Sequence, residues 1–131
     1  MNAPITPAAV AHSERAARQA EVLAALQPLL PAHALLWHGE DTVPYECDGL
    51  TAYRQLPLLV ALPENDAQVA AVLRCCHALK VPVVARGAGT GLSGGALPHA
   101  LGVTLSLAKF NKVVALDKRA RTAVVQCGVR N

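Results

Sequence analysis

Residues 86 to 96 read Arg-Gly-Ala-Gly-Thr-Gly-Leu-Ser-Gly-Gly-Ala, and they hold five of the chain's nine glycines. Such density suits neither helix nor strand, because glycine loses the most backbone entropy on ordering and brings no side chain to pack. Its physical use is to let consecutive backbone N–H groups turn toward one point and approach an anion closely, and phosphate is the common guest of such a nest. The plainer reading is a glycine-rich turn without a ligand, although tight turns seldom need five glycines.

Two known phosphate loops can be held against this stretch. A Walker A loop ends in Gly-Lys-Ser/Thr, whereas Gly94 is followed by Gly95 and Ala96. Gly89, Gly91 and Gly94 match the spacing of a Rossmann fingerprint, but that motif needs a helix opening at the loop and an acidic residue roughly 20 positions on. Gly94, Gly95 and Pro98 oppose a helix, and no Asp or Glu occurs from Ala67 through Leu116. Lys80, Arg86, Lys109 and Lys112 lie in that acid-free stretch, so the potential around the loop is positive. Without a helix dipole, a pyrophosphate there would rely on the amide nest, the Thr90 and Ser93 hydroxyls and the Arg86 side chain.

The loop follows the most regular part of the chain. Leu58 to Leu62 is a continuous apolar run of the kind that forms a strand buried on both faces, and Pro63 ends it. Asn65 and Gln68 have capping-box spacing, and Val69, Val72, Leu73, Cys76 and Leu79 recur along one helical face. Val81 to Ala85 reads as a second strand, with Pro82 tolerable only near its start. Strand, helix and strand within roughly 30 residues make a βαβ unit with parallel strands and a right-handed crossover. The glycine loop then falls at the carboxyl end of a strand, where open α/β sheets place their ligands.

Farther out the signals thin. Ala16, Ala20, Leu23, Leu26 and Leu30 predict an amphipathic helix over 13–30 with Ser13 as its cap, after a tail of residues 1–12. From Pro31 to Pro57 the pattern dissolves into a long wrapping connection with turn signals at Pro44 and Cys47-Asp48-Gly49. Beyond the loop, Gly102 to Leu107 reads as a third strand, and Val113–Leu116 and Thr122–Gln126 flank the charged segment Asp117–Arg121 as a β-hairpin. Residues 57–131 are expected to hold the βαβ unit, a third strand and a hairpin, the first part of an α+β domain.

Composition narrows the function classes. In 131 residues, 53% are hydrophobic and 16% charged, and the mean hydropathy is +0.31, as for a folded chain with a core. A net charge of +3, spread rather than striped, gives no expectation of nucleic acid. No apolar run approaches the roughly 20 residues of a membrane helix, and residues 1–11 lack the pattern of an export signal, so a cytoplasmic chain is expected. The four cysteines have no metal-ligand spacing, and no metal is expected. His38, His77 and His99 read as loop or helix-surface residues rather than acid/base groups, and Glu46 with Asp48 as a turn rather than a carboxylate pair. Cys75 and Cys76 are expected to divide between a buried and an exposed helix position.

At the loop the sequence resembles the FAD-binding domain shared by vanillyl-alcohol oxidase and p-cresol methylhydroxylase flavoproteins. The resemblance rests on Pro82 to Ala96, on Tyr45-Glu46-Cys47-Asp48-Gly49-Leu50 and on Gly128-Val129-Arg130-Asn131, and covers roughly residues 15 to 131. The Tyr45–Leu50 segment is similar to that of the family's glycolate oxidase and D-lactate dehydrogenase group. It implies a small βαβ-containing subdomain preceded by a helix, ending in the first hairpin of a larger antiparallel part. It implies FAD held without a covalent bond, because Thr90 and Gly91 stand where some relatives carry a flavin-linked histidine. The implied cofactor-binding residues are Arg86, Gly87, Ala88, Gly89, Thr90, Gly91, Leu92, Ser93 and Gly94, with no catalytic residue.

Since family members run several hundred residues further, the resemblance implies the flavin-binding opening of a 2-hydroxy-acid oxidoreductase whose partners are the rest of the flavoprotein and further oxidase subunits. The complete complex could associate peripherally with the inner face of a membrane. Two alternatives stay open at this point: a noncatalytic product or small anion- or partner-binding module, and an enzyme completed by a second chain.

Overall fold

A computed structural model describes residues 7–129. Helix α1 runs Pro7–Leu26, so it takes in part of the expected tail and places Ser13 within the helix rather than at its cap. Proline is well suited to a first helical position, where its missing N–H is no loss. The expected buried face is also rotated. Ala16 and Ala20 are exposed, whereas Val22 and Leu26 are buried. Leu30 is buried as well, but beyond the end of the helix.

What turns α1 inward is a polar stripe. Arg15 donates to the Pro57 carbonyl at 2.7 Å, and Gln19 donates to Trp37 and Leu58 carbonyls at 3.1 and 2.6 Å. Arg18 bonds the Leu79 carbonyl at the end of the next long helix. These long side chains satisfy backbone oxygens that the sheet and helix leave unpaired, which an apolar-spacing argument has no means of seeing.

The connection from 31 to 57 contains more structure than its sequence shows. A 3-10 turn at Ala32–Ala34 leads into a two-residue strand β1, Leu35–Leu36. A single helical turn α2, Gly39–Thr42, and a 3-10 turn at Val43–Tyr45 follow. Strand β1 exists because it pairs antiparallel with β2, Leu59–Ala61, matching Leu35 to Ala61 and Leu36 to Val60.

Helix α3, Asp66–Ala78, starts where the capping signal puts it. Asn65 accepts from the Gln68 N–H at 2.9 Å, and the Gln68 side chain accepts from Glu64 N–H at 2.7 Å. Val72 and Cys76 are its buried residues, while Leu73 turns outward. Strand β3 is Val83–Arg86 and β4 is Val103–Ser106.

The sheet order is β1-β2-β4-β3, so β2 and β3 are parallel as expected but are separated by β4, which pairs with both. Thr104 sits opposite Val60 on one side and Val84 on the other. Being central, β4 is buried along its whole length. Helices α1 and α3 share one hydrophobic core with the sheet, built from Val22, Leu26, Leu59, Val72, Cys76 and Leu105 among others. The remaining strands, β5 (Val113–Asp117) and β6 (Thr122–Val125), form a separate antiparallel hairpin, exposed throughout. Asp117 holds its turn by accepting from the Arg119 and Ala120 N–H groups, each at 2.9 Å.

Candidate functional site

Strand β3 delivers the glycine loop to the carboxyl end of the parallel sheet. Beyond Arg86 the ladder stops, and none of the hydrogen bonds among the described residues uses a backbone N–H from Gly87 through Ala96. The carbonyl of Gly94 is engaged, accepting from Leu97 N–H at 3.1 Å, but the donors of the loop are left for solvent or a ligand. Open space surrounds the position that a Cβ would take at Gly87, Gly91 and Gly95. Gly89 and Gly94 carry φ values of +72° and +74°, a region that only glycine enters cheaply.

Beside the loop lies a cavity of about 530 Å³, within the range of small-molecule and cofactor sites. Its walls are Pro44 and Tyr45, the loop's first residues Arg86, Gly87 and Ala88, the end of β4 and its following turn at Ser106, Ala108 and Asn111, and Gly128 with Val129. Gly128 donates to the Phe110 carbonyl at 2.8 Å and leaves no room for a side chain against the Leu107 carbonyl. Arg130 and Asn131, which complete the Gly-Val-Arg-Asn segment, lie outside the described residues. The unengaged amides, the side-chain-free cradle and the adjoining cavity fit an extended dinucleotide phosphate.

Arg86 is placed differently from the expectation that its charge faces a phosphate. Its guanidinium donates to the Cys47 carbonyl at 2.7 Å and lies 5.5 Å from the centre of the Tyr45 ring. A Cβ on Gly89 would strike that same guanidinium. The segment 45–50 thereby becomes the loop's support. Asp48 is buried and accepts from Leu50 N–H at 2.9 Å, which folds the turn around Gly49. Nothing in spacing reveals this contact across 39 positions, although the resemblance had singled out the same six residues.

The other candidates stay apart. No histidine lines the cavity. His99 accepts from Leu101 N–H at 3.1 Å in its own turn, and His38 stacks on Trp37 at 4.9 Å. Glu46 pairs with Arg54 at 2.6 Å instead of facing Asp48 across a ligand. Cys76 is buried and Cys75 half-buried rather than exposed, and burial raises both thiols, Cys76 to about 11. No group of three metal-ligating side chains occurs among the described residues. No helix among them is long and apolar enough to cross a membrane.

Known proteins are similar to this chain in sequence and fold. A family model described as "FAD binding domain" matches residues 57–131. Glycolate oxidase subunit GlcD of Escherichia coli strain K12 is 54% identical over 110 residues, which is 84% of this chain and 22% of the relative. A D-lactate dehydrogenase of Anaerostipes hadrus is 45% identical over 73 residues, 56% of this chain and 15% of that one. Among solved structures, p-cresol methylhydroxylase with substrate bound superposes with a TM-score of 0.74 at 24% identity, covering 86% of this chain and 23% of the other. This chain therefore spans about a fifth of the length of the curated relative it matches at 54% identity.

Proposed function

This chain belongs to the FAD-binding domain family, and from that premise we propose that it forms the pyrophosphate-holding part of an FAD-dependent 2-hydroxy-acid oxidoreductase. The observation that carries the proposal is the run of unengaged amides from Gly87 to Ala96 at the carboxyl end of β3, beside the cavity. Arg86 to Gly94 is the cofactor-binding stretch. Gly87, Gly89 and Gly91 admit the anion, the main-chain N–H groups of Ala88, Leu92 and Gly94 among them solvate it, and the Thr90 and Ser93 hydroxyls add neutral donors.

No histidine, cysteine or tyrosine occurs from Arg86 to Ala96, so the flavin is held without a covalent bond from this loop. FAD, when bound, supplies the acceptor for the hydride that leaves the α-carbon of glycolate or D-lactate. We assign no catalytic residue to this chain. Its cavity offers walls and donors but neither a carboxylate nor an imidazole. The groups that orient the acid belong to the rest of the flavoprotein, which with further oxidase subunits is the chain's partner. Four free thiols accord with a cytoplasmic assembly.

Titrating FAD into the purified chain tests the reading. Saturable quenching of flavin fluorescence, with the yellow colour retained through gel filtration, is the expected result. A chain that stays colourless after the addition of FAD loses its claim to the site.

A further inference from the structure

Gly49 lies outside the matched residues 57–131, yet it touches the middle of the glycine loop. A Cβ built on it would stand 2.6 Å from the Thr90 carbonyl oxygen and 2.9 Å from that of Gly91. Those oxygens are its two nearest atoms, with the carbonyl carbons behind them farther off, so both peptides present their oxygens to the Gly49 side. The chain has no cis peptide among the described residues. In a trans peptide the C=O and N–H vectors are antiparallel. The N–H groups of Gly91 and Leu92, which belong to those two peptides, are therefore turned away from Gly49 in company.

We propose that Gly49 is a positioning residue for the dinucleotide, which turns the Gly91 and Leu92 amides outward as the paired donors of the pyrophosphate nest. This inference rests on the loop being the phosphate site. Three further contacts hold Gly49 in place. Asp48 folds the turn through Leu50 N–H. The Arg86 guanidinium ties the Cys47 carbonyl to the end of β3, and the Tyr45 ring lies against the same guanidinium. Arg86 thus serves the site through the 45–50 turn. Any side chain at position 49 meets backbone, which cannot swing aside as a side-chain tip can, so the two peptides must rotate or the turn must lift.

The test is amide NMR of the chain titrated with inorganic pyrophosphate and, separately, with FAD. In the unmodified chain the Gly91 and Leu92 N–H signals should move most with both, and in Gly49→Ala their response should weaken at least tenfold while α3 signals stay in place. Gly39→Ala, where nothing lies within 4 Å of the added Cβ, is the control and should titrate as the original. Gly49→Ala titrating unchanged, or the largest shifts falling elsewhere in the unmodified chain, overturns the inference even if FAD binds. Pyrophosphate shifts at Gly91 and Leu92 without FAD binding would keep the inference and remove the FAD reading. No response to either ligand removes both.

Discussion

The Gln19 side-chain amide donates to the Leu58 carbonyl at 2.6 Å, joining the first helix to the residue that enters β2. The same NH₂ group reaches the Trp37 carbonyl at 3.1 Å. One side chain thus serves two backbone acceptors from different segments. Gln19→Leu keeps the bulk and removes both donors. We expect it to cost about 1–3 kcal/mol, the penalty for leaving buried or half-buried acceptors unpaired. A lower urea midpoint with an unchanged slope is the signature, and an unshifted midpoint would show that water replaces the amide freely.

That contact also marks the limit of what the sequence discloses. Elements with local signals were legible: β2 from a continuous apolar run, α3 from Asn65 and Gln68, β4 from its apolar pattern, and the β5–β6 hairpin from two β-rich runs around a charged turn. Relations set by tertiary contact were not. Strand β1 is created by pairing with β2, and its two residues carry no period. Helix α1 presents Arg15, Arg18 and Gln19 inward because carbonyls await them there. The insertion of β4 between β2 and β3 is a matter of strand order, which a strand-helix-strand pattern leaves undetermined. At the candidate site, the glycine loop was legible as a loop from its composition, but the approach of Gly49 to the Thr90 and Gly91 carbonyls and the Arg86 hydrogen bond to Cys47 need the fold.

Two glycines of the loop should separate cofactor loss from fold loss. Gly91 has open space at its Cβ position and no positive φ. Gly91→Val should leave the melting temperature within about 2 °C while weakening FAD binding at least tenfold by filling the cradle. Gly89 combines a φ of +72° with the Arg86 guanidinium in the path of any Cβ. Gly89→Val should therefore lose FAD and also about 1–3 kcal/mol of stability. Thermal melts with and without FAD read both effects. Unaltered flavin content in both variants would rule out the loop as the phosphate site.

Cys76 gives the chain an alkaline weakness. Burial, with a smaller contribution from Cys75 beside it, pushes its thiol up to about 11. Below the ordinary thiol range both folded and unfolded chains hold the proton, and the residue adds no pH dependence. Between roughly pH 9 and 11 the unfolded chain ionises first, so stability falls, by at most about 2–3 kcal/mol. Urea unfolding at pH 8 and pH 10.5 should show a steeper loss in the original than in Cys76→Ala. Parallel losses would mean that this thiol ionises alike in both states. The same protonated, buried thiol should resist alkylation at neutral pH, whereas the exposed Cys127 should react.

The β5–β6 hairpin should govern the chain's behaviour at high concentration. Val114, Leu116 and Val124 are 66%, 65% and 59% exposed, so the apolar side chains of the strands lie in water. An isolated two-stranded hairpin is marginal by itself, and its outer backbone edges invite further strands. The purified chain is therefore expected to self-associate as its concentration rises, with light-scattering mass above that of a monomer. Val114→Lys with Leu116→Lys puts like charges on the paired surface and should return the mass to the monomer. Because neither residue lines the cavity, FAD affinity should be unchanged in the double variant. If association persists undiminished, its seat lies elsewhere, and exposed Leu92 in the glycine loop, at 72%, is the next surface to substitute.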